Sequence, residues 1–301
     1  MPGSLLMIIL YLAVAVFVVG LIKRGLKIAK LPIHLRWELS PVPHEKGKAS
    51  YGGSYLEEFE WWTKPREKSL LNEFWYMFLE IIFLKGVWEN NRRMWYFSFP
   101  FHFGGLYLVV VAVALFKLSA FIGFTGTNTS AIASLAIGVS VIAYGLGAFG
   151  VIGLCIQRLT DPVLKPFTTP SHIINLVFLG SIYVSGLAAI FSISNYAAQM
   201  TGFIQGMVTF SPPALPGIMG LHVILASAFL IYLPFTYMMH FVAKYFTYHE
   251  IRWNDTPMPG NDKMEKEVGE LLSQSPTWSA PHLKADGKKT WVDIATEEMD
   301  K

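Results

Sequence analysis

Two histidines, His222 and His240, sit in one apolar stretch, GLHVILASAFLIYLPFTYMMHF (residues 220 to 241), long enough to cross a bilayer. Ionisable side chains at membrane depth are costly and usually have an assigned partner. An imidazole there can bind a metal, pass a proton, or pack against a serine or a carbonyl. The spacing of eighteen residues is five full helical turns, so both rings leave the same face. At 1.5 Å per residue they lie roughly 27 Å apart, close to the thickness of the hydrocarbon core. One histidine is then near each membrane surface. A proton relay needs closer steps, and a single metal site needs a spacing of three or four. Two separate cofactors stacked across the membrane fit the spacing better.

The elements that must position these rings are legible in the composition. Apolar residues make up 53% of the 301 residues and charged residues 15%, and long charge-free segments alternate with charged ones. Five segments reach the roughly 20 apolar residues of a spanning helix, near 3–22, 96–117, 131–156, 172–194 and 217–243. Segments 23–95, 157–171 and 244–301 hold every lysine and arginine except Lys117, whereas 118–130 and 195–216 carry no charge. By the positive-inside rule the N-terminus is outside and the C-terminus cytoplasmic. The first segment, with Lys23, Arg24 and Lys27 after its apolar run, reads as an uncleaved anchor. The expected fold is therefore all-α: an integral membrane five-helix bundle. Its parts are the first helix (1–22), a long cytoplasmic loop (23–95), a four-helix core (96–243) and a cytoplasmic tail (244–301). Within the loop, LLNEFWYMFLEIIFLKGVW (70–88) is interrupted by Glu73, Glu80 and Lys85 and reads as an interfacial helix. The polar, proline-containing tail reads as a segment that orders against a partner.

Several chemistries are excluded. Cys155 is the single cysteine, so there is no disulfide framework, no covalent haem motif and no thiolate set for an iron–sulfur cluster. A net charge of +3 is too small to argue for nucleic acid. No hydrolytic triad, phosphate loop or hydride-transfer motif is present, and no residue is assigned a catalytic role.

Helix two runs outward, which places His102, in WYFSFPFHFGG, about two turns from its cytoplasmic end. A six-coordinate haem b needs two imidazoles facing each other at one depth from different helices. His102 and His240 meet that requirement, while His222 faces the outer side with no histidine opposite. His172, in TTPSHIINL, is either a further ligand or an ordinary residue at a helix start. His34, His44, His249 and His282 fall in polar cytoplasmic segments and read as solvated. Gly138, Gly145, Gly147, Gly150 and Gly153 of helix three serve close helix packing or make room for a flat porphyrin. Arg92 and Arg93, just before helix two, are placed to neutralise haem propionates and also obey the positive-inside rule.

LHVILASAFLIYLPFTYMMHF resembles the last helix of the respiratory nitrate reductase gamma subunit family, which carries two haem-ligand histidines at this spacing with a proline step before the second. His102 stands where that family places its cytoplasm-side ligand on helix two. The first loop, with YGGSYLEEFEWWTKPREKSLL (51–71), and the terminal TWVDIATEE (290–298) are similar to cytochrome b subunits in transmembrane redox complexes of sulfate-reducing bacteria. The resemblance implies haem b ligated by His102 and His240, a second, outer haem on His222, and electron exchange with menaquinone. It also implies a heterodisulfide-reductase-like cytoplasmic iron–sulfur subunit, a periplasmic multihaem cytochrome c and a place in the bacterial inner membrane. One position departs from the pattern: Ala112 stands where the family has a second helix-two histidine. An outer haem would then be five-coordinate on His222, take another sixth ligand, or be absent. Lys117 is a candidate for that ligand or for a quinone headgroup, against simple snorkelling. Asn128, Asn195, Tyr196 and Gln199 are the other polar groups on that side. The competing reading is a non-redox membrane anchor or proton path.

Overall fold

The computed structural model describes residues 1–31, 54–65, 69–254, 261–280, 283 and 285–297. His34, His44, His282 and part of the 51–71 motif lie outside the described residues. The described chain is helical throughout, and five helices in it are long and apolar enough to cross a membrane. It divides into two compact units, Met1–Gly20 with Trp75–Thr236, and Leu21–Phe74 with Tyr237–Lys301.

The first span is α1 (Gly3–Ala29). It buries only Gly3, Leu6, Met7 and Ala13, and leaves Leu5, Ile8, Leu12 and Val19 exposed. Such an apolar exterior is what a lipid solvent selects. The interfacial segment of the sequence forms α2 (Leu70–Phe83) and α3 (Lys85–Asn90), separated by Leu84 in the left-handed region (φ 52°). Leu71, Phe74, Trp75, Phe78 and Ile81 leave one side of α2 exposed and apolar, the pattern of a helix lying in a membrane surface. The buried Glu80 is held by the Gly86 N–H at 2.7 Å, so its charge stays inside the turn between the two helices.

Helix two begins earlier and ends later than its apolar run. It consists of α4 (Arg92–His102), a π-helical stretch (Phe103–Leu108) and α5 (Val109–Gly123). Pro100 lies inside α4 and has no N–H to donate. The wider turn that follows absorbs the misfit and re-aims the side chains around His102. Tyr107 donates to the Ile81 carbonyl at 2.6 Å and Trp95 to the Phe83 carbonyl at 2.7 Å, which ties helix two to the end of α2.

Helix three is α6 (Ser130–Thr160), the centre of the first unit, packed against α4, the π stretch, α5 and the following span α7 (Pro170–Ser192). Its buried residues, among them Ala136, Ser140, Ala143, Gly147, Gly150 and Leu154, recur every three or four positions and are mostly small. That stripe lets backbones come close. A Cβ on Gly150 would lie 2.7 Å from the Phe101 nitrogen and the Phe97 oxygen, and one on Gly147 would lie 2.9 Å from the Gly105 Cα. Gly153 is filled by the Phe97 ring, while Gly138 and Gly145 meet nothing within 4 Å. Of the two uses open to these glycines, Gly147, Gly150 and Gly153 serve helix packing.

Two features depart from expectation. The uncharged outer connection 195–216 contains a helix, α8 (Tyr196–Val208). Its Tyr196 and Phe203 join Leu6, Phe116, Ala136, Ala189 and Met219 in the apolar core. The fifth span is not continuous over 217–243. It runs as α9 (Gly217–Tyr232), tightens into a turn at Leu233–Phe235, and breaks at Thr236 (φ −112°, ψ 170°). Helix resumes as α10 (His240–Phe246). Pro234 is the cause, because it donates no hydrogen bond and its ring crowds the preceding turn. The five-turn relation that put His222 and His240 on one face therefore does not hold.

In the second unit the tail carries α11 (Asp262–Leu272) and α12 (Trp291–Thr296). Met264 and Val268 are buried, and the Trp291 N–H bonds the Gln274 carbonyl at 3.0 Å. Within the TWVDIATEE motif, Thr290 and Asp293 form a reciprocal cap at the start of α12. The two Thr290 hydrogen bonds hold the Asp293 carboxyl below its usual range. The tail thus has local structure of its own, contrary to its loop-like composition.

Candidate haem-binding site

His102 is the last residue of α4 and is half-buried. Its Nδ1 lies 2.7 Å from the Ser98 carbonyl oxygen. A carbonyl can only accept, so Nδ1 carries the proton and Nε2 carries the lone pair. An axial imidazole needs that tautomer, held by a backbone carbonyl. Ser98 itself is buried, and the Phe101 ring meets the imidazole edge-on at 5.0 Å. The donor chemistry and the apolar setting fit a haem. His240 opens α10, exposed, four residues after the break at Thr236. His102 and His240 belong to different units. Among the described residues no three His, Cys, Asp or Glu side chains converge on a point.

His222 has a different environment. It is buried in α9 between Tyr144 of α6 and Ser185 of α7. The Tyr144 hydroxyl is 3.1 Å from Nε2, and the Ser185 Oγ is 3.1 Å from Nδ1. Ser185 also donates to the Ile182 carbonyl at 3.0 Å. Because Ser185 has one proton, that bond fixes the rest: the His222 Nδ1–H donates to Ser185 Oγ, and Tyr144 donates to Nε2. Both ring nitrogens are engaged by protein. This arrangement does not fit a haem on His222.

The remaining site residues fall out as follows. The His172 Nδ1 accepts the Thr169 N–H at 3.0 Å, closing a capping box at the start of α7. Its Nδ1 lone pair is used in that bond, so the helix-start role applies and the ligand role does not. His172→Ala is expected to cost about 1 kcal/mol of stability and leave haem content unchanged, checked by thermal unfolding beside the visible spectrum. Lys117 is exposed on α5, off the buried stripe of Ala112, Phe116, Ser119 and Ala120. Arg92 stacks over the Trp88 ring at 4.8 Å, and Arg93 pairs with Asp161 at 3.6 Å. Gln199 donates to Asn195 at 2.6 Å, and Tyr196 is in the core. Asn128 lines an outer cavity of about 400 Å³ with Ser119, Thr129, Ser134, Thr201 and Gln205.

Tyr144 and Ser185 were not singled out from sequence. A depth count carries part of the signal. Ser185 lies seven residues from the outer end of α7 and His222 five from that of α9, about 11 and 8 Å. Polar groups at matching depth in apolar helices are natural partners.

The model of the nitrate reductase gamma subunit family matches residues 87–254, more than half of the chain. The chain belongs to the nitrate reductase gamma subunit family. The matched span contains His102, His172, His222 and His240, and leaves out the first helix and most of the tail. The chain is also 24% identical over 262 residues to the Hdr-like menaquinol oxidoreductase cytochrome b-like subunit of Archaeoglobus fulgidus, covering 77% of this chain and 74% of that protein. Family membership makes it a multi-pass, cytochrome b-like membrane subunit of a haem b-containing family.

Proposed function

We propose that the chain is the membrane cytochrome b subunit of a respiratory redox complex. It carries electrons between menaquinone or menaquinol and a heterodisulfide-reductase-like iron–sulfur subunit on the cytoplasmic side. The observation that carries this reading is the His102 ring, whose Nδ1–H is fixed on the Ser98 carbonyl. An iron ligand needs that tautomer, and His102 lies within the residues that match the family. His240 is the proposed second axial ligand. Haem b, when bound, supplies a one-electron couple that the side chains of this protein lack. On the α4 side, the aromatic side chains around His102 exclude water, and Arg92 and Arg93 at the start of α4 are the proposed partners of the haem carboxylates.

The match to a subunit of a menaquinol oxidoreductase supports the quinol half of the reading. The similarity of the 51–71 and 290–298 stretches to cytochrome b subunits of sulfate-reducing bacteria is what suggests a bacterial inner membrane and a periplasmic multihaem cytochrome c as a further partner. Anaerobic addition of a menaquinol analogue to the purified complex tests it. Reduction of a b-type signal, followed by reduction of the iron–sulfur subunit, is expected. An unreduced haem, or iron–sulfur reduction that bypasses it, would refute the proposed role.

The tail is the proposed docking element. Trp278 and Val292 are exposed beside its two helices, and apolar groups at such a surface favour a protein partner. Deleting residues 255–301 is expected to leave the haem spectrum intact and to remove the iron–sulfur subunit from affinity-purified material. Co-purification at the wild-type ratio would contradict the assignment.

A further inference from the structure

We infer that protein closes the space around His222 to a haem, and that the chain holds a single haem, on the cytoplasmic half. This rests on the haem reading above and goes beyond it, because the eighteen-residue histidine pair by itself suggests two.

The inference starts from the Tyr144–His222–Ser185 knot. Its three members come from α6, α9 and α7, and all three are buried. The direction of every bond is set by the Ile182 carbonyl, which accepts from Ser185 and so forces the Nδ1–H tautomer on His222. The one lone pair that could reach iron, on Nε2, accepts from the Tyr144 hydroxyl. Releasing Nε2 would leave a phenol hydroxyl unpaired in an apolar interior.

Space is the second obstacle. The Tyr144 ring meets the His222 ring edge-on at 5.4 Å. On its other side it fills the room left by Gly186, where a Cβ would lie 2.8 Å from the tyrosine Cδ2. The neighbouring Tyr183 donates to the Gly105 carbonyl at 3.1 Å and lies 6.2 Å from Tyr144, centre to centre. Nearer the outer surface, Leu6, Phe116, Ala136, Ala189, Phe203 and Met219 form one continuous core. A porphyrin on His222 would have to displace the Tyr144 ring and part α6 from α9. A second axial ligand is also lacking on helix two, whose buried stripe offers Ala112, Phe116, Ser119 and Ala120.

A single haem at His102 leaves this chain with no redox centre of its own near the outer surface. The outer cavity is lined by Ser119, seventeen residues beyond His102, or about 26 Å along helix two. Quinone that meets this haem must then do so on the cytoplasmic half, and an outer cytochrome c is not served through His222.

The test is the ratio of haem b to polypeptide in the purified full-length protein, by haem extraction against quantitative amino-acid analysis. One per chain is expected, and His222→Gln and Tyr144→Phe should both keep that ratio and the low-spin spectrum. Two per chain would overturn the inference, as would a second signal, open to carbon monoxide, that disappears in His222→Gln. A haem-free chain would instead overturn the cytochrome reading itself.

Discussion

His102→Ala and His240→Ala are each expected to abolish the same low-spin b-type signal. Both rings are proposed to bond one iron, so removing either leaves it five-coordinate, high-spin and open to carbon monoxide. Loss of groups that merely orient a ligand already weakens metal binding about 10–100-fold, so loss of the ligand itself should strip most of the haem during purification. The His102 variant has a second effect, because the Ser98 carbonyl loses the donor now 2.7 Å away. Added imidazole should restore part of the low-spin signal in both variants, which a merely misfolded protein would not do. Full haem content with an unchanged spectrum in both variants would show the pairing to be wrong.

Gly150→Leu is the packing change with the largest expected effect. A Cβ there meets backbone on α4, the Phe101 nitrogen and the Phe97 oxygen, each at 2.7 Å. Backbone cannot swing aside as a side chain can, so the helices must separate. Overpacking of ordinary cores costs about 1–3 kcal/mol, and this site belongs at or above the upper end. Because α4 also carries His102, haem content should fall together with thermal stability. Gly145→Leu is the control: it is exposed with nothing within 4 Å of its Cβ, and a change within about 0.5 kcal/mol is expected. Equal effects at the two positions, read by thermal unfolding in one detergent, would refute the packing account.

The five spans were legible because a bilayer imposes length and apolarity on any helix that crosses it, and these survive without knowledge of contacts. Pro234, the cause of the break, stands in the sequence too. Its presence alone does not predict a break, because proline is tolerated in spanning helices whose neighbours re-satisfy the freed backbone groups. Helix α8 escaped notice for the opposite reason: an uncharged stretch ending in prolines looks like a loop until Tyr196 and Phe203 are seen buried in the core. His102 could be given a depth from sequence, whereas its tautomer depends on the carbonyl of Ser98 one turn back. His222 was legible as a buried histidine but not as the centre of a knot, because its partners stand 78 and 37 residues away in the chain. Single-sequence patterns carry local periodicity well and long-range pairing poorly. His172 shows the same limit at short range, since a ligand and a capping residue look alike until the Thr169 N–H is found on its ring.

The central claim is that this chain is a b-type cytochrome, and the reduced-minus-oxidised visible spectrum of the purified full-length protein tests it most directly. The account predicts the sharp absorption bands of a six-coordinate, low-spin haem b, present in the wild type and lost in His102→Ala. A featureless difference spectrum from folded, membrane-extracted protein would contradict it and leave a non-redox membrane anchor in its place.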